Sequence, residues 1–348
     1  IYSNPTNNGT PANTLNIPAG ITKVKVEAWG GGGRGGTKSF AFSFGTTGSG
    51  GGGGGGAYTI STLLGIASGD YTITVGAGST STAPGGNSIF KKAIGSDLVT
   101  ATGGNSAGNN NSSGATGGNG GTFFGGNGAN NGGGGSSAGT SATGVTATNE
   151  NGATAPIGGG DGGNGRISEG HGYNGISPGG GGGGAYRSGF FSGTKNGGKG
   201  GNGRVIVCLF AGDAGTMTGL STVCQGNSSV SYTIPAISNA TSYVWSYSGT
   251  GATIIGSTNT VNINFSSSAT SGDLTVYGVN ECGNGNSVSY PITVNSIPSS
   301  NFSYIENPLN FGEFLFTNTS VNGTSFLWLT SPETATEPTL VAKLKPAN

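Results

Sequence analysis

The chain has 348 residues, 77 of them glycine, and its 13 basic and 13 acidic residues give a formal net charge of zero. This length predicts two or three domains. The balanced charge excludes the basic footprint of a protein that binds nucleic acid or anionic lipid, and no apolar run approaches the ~20 residues that cross a bilayer.

Glycine is concentrated in one tract between two predicted strands. Residues 30–203 hold 62 of the 77 glycines. Residues 21–29 precede the tract and residues 204–210 follow it, and both are rich in β-branched and aromatic residues. Because disordered linkers rarely end in strands, the tract is predicted to be structured.

Strand-like pieces also interrupt the tract, at 57–60, 70–75 and 97–101. In 70–75, tyrosine, isoleucine and valine alternate with threonine, which is the period of a half-buried strand. A flexible Gly/Ser linker has no use for that alternation. Collagen is excluded as well, because it needs glycine at every third position and abundant proline, whereas this chain has long glycine runs and 13 prolines.

The tetrapeptide Gly-Gly-Asn-Gly recurs at 117–120, 125–128, 162–165 and 200–203. Glycine segments can pack backbone against backbone as extended left-handed helices of polyproline-II geometry, and that packing must offset the large entropy loss of ordering glycine. Asparagine tolerates the left-handed turns at which segments reverse direction. We therefore predict an ordered polyglycine bundle, with long mobile loops over a β core as the alternative.

The order of these pieces resembles a known family. The matching pieces are Ala28-Trp29, 54–58, 71–76, 85–88 and 200–207. Together they resemble the glycine-rich domains of bacterial surface proteins and phage tail-tip adhesins, and the glycine-rich ectodomain of anaplastic lymphoma kinase receptors. The resemblance covers 15–211, with 1–14 as an N-terminal extension. It implies an all-β fold in which a glycine-rich β-sandwich lies beside polyglycine-II-type helices and presents loops for recognition.

Glycine thins after residue 212, and short strands are predicted at 229–234, 242–247, 260–265, 273–279 and 287–294. Such strands, separated by Gly, Ser and Asn turns, predict a β-sandwich. The run Tyr243-Val244-Trp245, with Cys224 upstream and Cys282 downstream, resembles the PKD-like, immunoglobulin-like modules of bacterial cell-surface proteins. This module is assigned to 212–296.

The same resemblance implies a disulfide between Cys224 and Cys282, which stand where such modules carry a bridge. Closing a loop of that length would contribute ~4 kcal/mol in the chain-entropy model, and a bridge would indicate an oxidising compartment. Cys208, between Val207 and Leu209, is expected to act as a buried small hydrophobe. Three free thiols are the alternative.

Residues 297–348 resemble the opening half of a second PKD-like module, on the basis of 298–304, 315–320 and 325–328. The acidic Gly-Asp-Gly turn that usually follows the tryptophan is replaced by Leu-Thr-Ser-Pro at 329–332, and the final strands are missing. We expect the chain to be a fragment of a longer protein. Completion of the unit by a strand from elsewhere is the alternative, because an incomplete sandwich leaves unpaired edges.

The sequence offers little for catalysis or cofactor binding. A Ser-His-Asp arrangement needs an oriented base, and the sole histidine, His171, lies in a glycine-rich stretch. The absence of a Cys-x-x-Cys pair weighs against a metal site, and no helix follows the glycine runs to bind a nucleotide phosphate. We predict a non-enzyme with no catalytic residue, metal or cofactor.

Aromatic residues in loops of low charge are the candidate binding groups, because they can stack on sugar faces or apolar patches. The candidates are Phe40, Phe42, Phe44, Phe123, Phe124, Tyr173, Tyr186, Phe190 and Phe191. Capping the ends of the polyglycine bundle is their alternative role. The run 40–44 and the pair 190–191 are predicted to be loop tips.

Together these features predict a secreted, extracellular or cell-surface protein that acts as a non-enzymatic adhesin or filament component. Its expected partners are polysaccharides or surface ligands, other cell-surface or secretion proteins, and further copies in a homo-oligomer or filament; nucleic acid and a membrane span are not expected. The resemblance implies bacteria that export adhesins, often by type IX secretion. A phage tail-fibre receptor-binding adhesin and a self-assembling structural fibre subunit are the alternatives.

Overall fold

A computed structural model describes residues 13–39, 47–189, 192–309 and 314–324, together with the backbone of 343–344. Within these ranges strands are the only regular elements, so the prediction of an all-β class is confirmed. The chain forms two compact units. Unit 1 comprises Ile1–Asp213, Ile237–Thr241 and Val279–Gly285, and unit 2 comprises Ala214–Ala236, Ser242–Gly278 and Asn286–Asn348.

Unit 1 contains a β-sandwich. Its first nine strands are β1 (Asn13–Ile17), β2 (Lys23–Trp29), β3 (Gly48–Ser49), β4 (Tyr58–Leu64), β5 (Gly69–Thr74), β6 (Ser88–Lys92), β7 (Asp97–Ala101), β8 (Tyr186–Arg187) and β9 (Arg204–Leu209). They form antiparallel sheets in the orders β1-β5-β6-β7, β4-β2-β9 and β3-β8. The two larger sheets share one core, which includes Val26 of β2, Ile73 of β5, Phe90 of β6 and Val205 of β9.

The glycine segments between these strands follow a hydrogen-bond pattern with a period of three residues. Along 50–57, each amide donates to the same neighbouring segment as the amide three residues before it. Starting from residue 50, successive amides donate in turn to carbonyls of 179–185, 102–111 and 126–129, at 2.6–3.1 Å. Every third amide of segment 30–36 likewise donates to a carbonyl of 51–57. A period of three is that of polyproline-II geometry, whereas a strand has a period of two. Polyglycine-II-type helices remain a prediction, with which this period agrees.

The segments approach so closely that a side chain cannot fit between them. A Cβ atom built on Gly51 would lie 1.8 Å from the carbonyl oxygen of Ser113, and one built on Gly181 would lie 2.2 Å from that of Gly53. Both neighbours are backbone atoms, which cannot turn aside as the end of a flexible side chain can. The glycines are therefore required by packing, and the hydrogen bonds between segments offset their ordering entropy.

Trp29 and Tyr58 link the sandwich to the glycine segments. Their ring centroids are 4.6 Å apart, the Trp29 indole donates to the carbonyl of Ala138 at 3.1 Å, and the Arg204 guanidinium lies over the indole at 4.1 Å. The Tyr58 hydroxyl donates to Glu27 at 3.0 Å. Burial, reinforced by this carboxylate, raises the pKa of the Tyr58 phenol, and burial lowers the pKa of Arg204.

The predicted disulfide between Cys224 and Cys282 is wrong, because Cys282 bonds to Cys208 and Cys224 is an exposed free thiol. Alternation along β9 explains why Cys208 is available. Val205 and the partly buried Val207 and Leu209 pack in the core, so Cys208 lies on the opposite face of the strand. It is therefore not the buried hydrophobe expected.

Polar contacts bring Cys282 to the end of β9. The Asn280 side chain donates to the carbonyl of Leu209 at 3.0 Å, and its Oδ1 accepts the amide of Cys282 at 2.9 Å. Asn239 donates to the same Leu209 carbonyl at 2.7 Å. All of these residues belong to unit 1.

Unit 2 contains a second sandwich. The remaining strands of the described residues are β10 (Thr222–Cys224), β11 (Val230–Thr233), β12 (Ser242–Tyr247), β13 (Ala252–Ile255), β14 (Thr260–Phe265), β15 (Gly272–Asn280), β16 (Gly283–Asn284), β17 (Val288–Asn295), β18 (Phe302–Glu306), β19 (Phe314–Asn318) and β20 (Lys343–Leu344). Of these, β16 belongs to unit 1. One sheet has the order β10-β17-β15-β12, with β16 paired to β15, and another has the order β11-β14-β13.

Aromatic contacts join these two sheets face to face. Tyr232 of β11 contacts Tyr290 of β17 at 6.2 Å between centroids, and Phe265 of β14 contacts Tyr247 of β12 at 5.9 Å. Burial raises the pKa of Tyr232 to about 12. Trp245, which the sequence singled out, is half-buried and donates to the carbonyl of Thr258 at 2.8 Å.

Within 297–348, β18 pairs antiparallel with β19, and β19 pairs parallel with β20. Phe302 and Tyr304 of β18 are exposed and contact Phe316 of β19 at 5.8 and 6.0 Å. The Leu-Thr-Ser-Pro stretch at 329–332 lies outside the described residues, so the incomplete second module remains a prediction.

Candidate functional site

Five of the nine candidate binding aromatics lie outside the described residues: Phe40, Phe42, Phe44, Phe190 and Phe191. The structure does describe the chain on either side of them. Lys38 and Lys195 exchange backbone hydrogen bonds of 2.9 Å, and β3 pairs with β8. The flanks of the two Phe-containing stretches, 40–46 and 190–191, are therefore direct neighbours.

Buried cationic side chains lie at these flanks. Arg34, Lys38 and Arg187 are 8%, 4% and 1% exposed. Arg34 donates to the hydroxyl of Thr37 at 2.7 Å, and Lys38 donates to the carbonyl of Asn110 at 3.3 Å. Burial lowers the pKa of both Arg34 and Lys38. Because neutral oxygens accept the hydrogen bonds of Arg34 and Lys38, these two side chains carry positive charge into the interior.

Glu169 and His171 lie near the same flanks. Lys195 pairs with Glu169 at 3.0 Å and the Ser188 hydroxyl donates to Glu169 at 2.6 Å; the bond from Ser188, followed by that from Lys195, lowers the pKa of Glu169. His171 Nδ1 accepts the amide of Asn196 at 2.8 Å, so that nitrogen is occupied. In the described ranges no three His, Cys, Asp or Glu side chains are grouped to hold a metal.

The other four candidate aromatics divide into two kinds. Phe123 packs on the Trp29 cluster with its ring stacked on Tyr58, and Tyr186 is half-buried within β8. Tyr173 is 51% exposed beneath the Arg166 guanidinium, 4.6 Å away, and Phe124 is 52% exposed. Only Tyr173 and Phe124 among these four offer a large exposed face to a ligand.

Phe124 borders a groove of about 440 Å³. Three neighbouring stretches form most of it: 116–119, 124–127 and 143–146. Its polar side chains are amides and hydroxyls from Asn105, Thr116, Asn119, Asn127, Thr143 and Thr146. None of the described residues that line the groove is charged. Apart from Phe124, sequence reasoning did not identify these residues, although the Gly-Gly-Asn-Gly repeat marks two of the asparagines.

The repeat asparagines have a role that sequence reasoning missed. The side-chain oxygens of Asn127, Asn164 and Asn202 accept glycine amides of neighbouring segments at 2.7–3.0 Å. None of them has the positive φ of the left-handed turn that was expected; Asn110 and Asn131 adopt it instead. These three repeat asparagines thus supply acceptor oxygens to amides of neighbouring glycine segments.

No helix in the described part of the chain is long and apolar enough to cross a membrane. A glycine-rich domain model matches residues 6–210, and a PKD-like domain model matches residues 211–292. This is the predicted order of domains. Comparison with curated proteins gave no match. Because the first match covers more than half of the sequence, the chain belongs to the glycine-rich domain family and carries a PKD-like domain after it.

Proposed function

We propose that this protein is a non-enzymatic, extracellular adhesin or filament component that binds glycans or surfaces through loops of its glycine-rich domain. The glycine-rich and PKD-like domains fit an extracellular adhesion-type protein. The disulfide between Cys208 and Cys282 fits an oxidising, extracellular compartment.

The observation that carries the proposal is the pairing of the flanks of both Phe-containing stretches. The Lys38–Lys195 bridge and the β3–β8 pair place these flanks together. In the sequence, five phenylalanines lie between these paired flanks, within 40–46 and 190–191. Aromatic side chains supply large contact area to an apolar or sugar surface, and weak sites of this kind gain strength when many copies act together.

Binding assays on the full chain test the proposal. We expect the protein to bind a glycan array or abiotic surfaces weakly, and to do so similarly at low and high salt because its net charge is zero. Replacing Phe42, Phe190 and Phe191 together by Ser should weaken this binding. A matched control replaces three exposed apolar residues elsewhere, Leu64, Ile94 and Ile157, by Ser.

Unchanged binding in the phenylalanine triple variant would remove these stretches from the site. An equal loss of binding in the control variant would show that the effect comes from general surface hydrophobicity. The non-enzymatic part of the proposal has its own test: hydrolytic turnover of a glycan that disappears in His171→Ala would overturn it.

A further inference from the structure

We infer that the groove beside Phe124 is a binding site for a neutral pyranose sugar. The inference rests on the proposed function, since it names a ligand class for the glycine-rich domain, and it assigns that ligand to residues other than those of the Phe-containing stretches. The groove volume of about 440 Å³ falls within the ~300–1,000 Å³ of small-molecule sites.

The backbone around the groove is fixed before any ligand arrives. The amide of Gly125 donates to Gly118 at 2.9 Å, that of Gly144 donates to Phe124 at 2.7 Å, and that of Asn105 donates to Thr116 at 3.0 Å. These bonds join the stretches that form the groove. A preformed site saves the entropy that ordering a loop on binding would cost.

Phe124 supplies an apolar platform at the edge of the groove. Its neighbour Phe123 is anchored by two backbone hydrogen bonds with Tyr58, of 2.9 and 3.0 Å, and by ring stacking, so the backbone at Phe124 is held in place. The exposed phenyl ring carries partial negative charge on its faces. One face of a pyranose ring presents C–H groups with partial positive charge, which suits this platform.

The surrounding amides retain hydrogen-bonding capacity. Asn127 uses its Oδ1 to accept the amide of Gly117 at 2.9 Å, which leaves its Nδ2 donors for a ligand. Asn105 uses its Nδ2 to donate to Thr116 at 2.7 Å, which leaves its Oδ1 as an acceptor. Sugar hydroxyls both donate and accept, so they match this mixed set.

The lack of charge among the described lining residues determines which sugars the groove favours. A carboxylate or sulfate group would lose hydration on entering the groove without meeting a cation there. Neutral hexose or pentose units avoid that cost. The expected ligand is therefore a neutral polysaccharide segment rather than a uronate or sulfated glycan.

The test measures binding of the full chain to soluble neutral oligosaccharides, namely maltohexaose, cellohexaose and xylohexaose, with oligogalacturonate as the acidic probe. We expect at least one neutral probe to bind and oligogalacturonate not to bind. Phe124→Ala should weaken binding of that probe roughly 2- to 10-fold, the effect of losing one aromatic contact. Phe302→Ala, which removes an equally exposed phenylalanine outside the glycine-rich domain, is the matched control and should bind as the unmodified protein does.

Asn127→Asp is the second variant, because it keeps the oxygen that accepts the Gly117 amide while replacing the donor by a charge. It should retain the melting temperature and lose binding of the neutral probe. The groove is rejected if none of the neutral probes binds, if oligogalacturonate binds more tightly, or if neither variant affects binding. Adhesion to glycans or surfaces that persists in these cases, and still depends on Phe42, Phe190 and Phe191, leaves the proposed function standing.

Discussion

Replacing Gly181 by alanine tests the close packing of the glycine segments. The new Cβ would lie 2.2 Å from the oxygen and 2.7 Å from the carbon of the Gly53 carbonyl, whereas ordinary contact begins at 3.4 Å. The segments must separate by about 1 Å. The bond of 2.8 Å from the amide of Gly53 to Gly182 joins the same segments, so it would lengthen beyond hydrogen-bonding range.

The expected cost follows from these two effects. Overpacking costs ~1–3 kcal/mol, and a buried amide left without its partner costs a further ~1–3 kcal/mol. Alanine also lowers the conformational entropy of the unfolded chain, which offsets up to ~1 kcal/mol of this loss of stability. We therefore expect the free energy of unfolding to fall by about 1–5 kcal/mol, which at its upper end is a large share of the ~5–15 kcal/mol of a typical domain.

Gly193→Ala is the matched control, because a Cβ there meets nothing within 4 Å and its φ is not in the left-handed range. It should leave stability within about 1 kcal/mol of the unmodified protein. Denaturant unfolding followed by fluorescence of the buried Trp29, with hydrogen exchange of amides 179–185, measures both variants. A loss below ~1 kcal/mol for Gly181→Ala, or rapid exchange of these amides in the unmodified protein, would refute the packing.

Three further outcomes are expected. Cys282→Ser opens the bond to Cys208 and should lower the free energy of unfolding by ~2–5 kcal/mol, whereas alkylation of the unreduced native protein should label Cys224 alone; labelling at two or three cysteines would contradict the observed pairing. Because the Tyr58 pKa is raised in the folded state, the unfolded chain loses that proton first, near pH ~10. The free energy of unfolding should fall as pH rises above that value, and its slope against pH should be smaller in Tyr58→Phe by about 1.4 kcal/mol per pH unit. An unchanged slope would contradict the raised pKa. Asn164→Ala should lower the free energy of unfolding by ~1 kcal/mol, since a glycine amide loses its acceptor. An unchanged midpoint in denaturant unfolding would contradict this role of the side chain.

Alternation along the chain predicted the strands well. The predicted 242–247 and 260–265 coincide with β12 and β14, and 70–75 corresponds to β5 with a shift of one residue. These strands alternate because one face of each is buried, and that signal is local. The short β13 escaped prediction because four residues give too few alternations to recognise.

The partners of the glycine segments could not be predicted. Without side chains, Gly53 and Gly55 look alike in sequence, yet their amides donate to Gly182 and Gly126 in different segments. The disulfide pairing could not be predicted from the sequence for a related reason. Its pairing depends on polar contacts between Asn280 and the end of β9, which are distant in sequence and carry no spacing signal.

The hydrogen-bond period of the glycine segments restricts how their lengths can change. Each residue along 50–57 faces one of three neighbours in strict rotation. Deleting one residue would turn everything beyond it by a third of a revolution, and each amide would then face a different neighbour from its own. Adding or removing three residues would restore the rotation and shift only the ends. Lengths of these segments in related proteins, and in redesigned ones, should therefore differ in multiples of three.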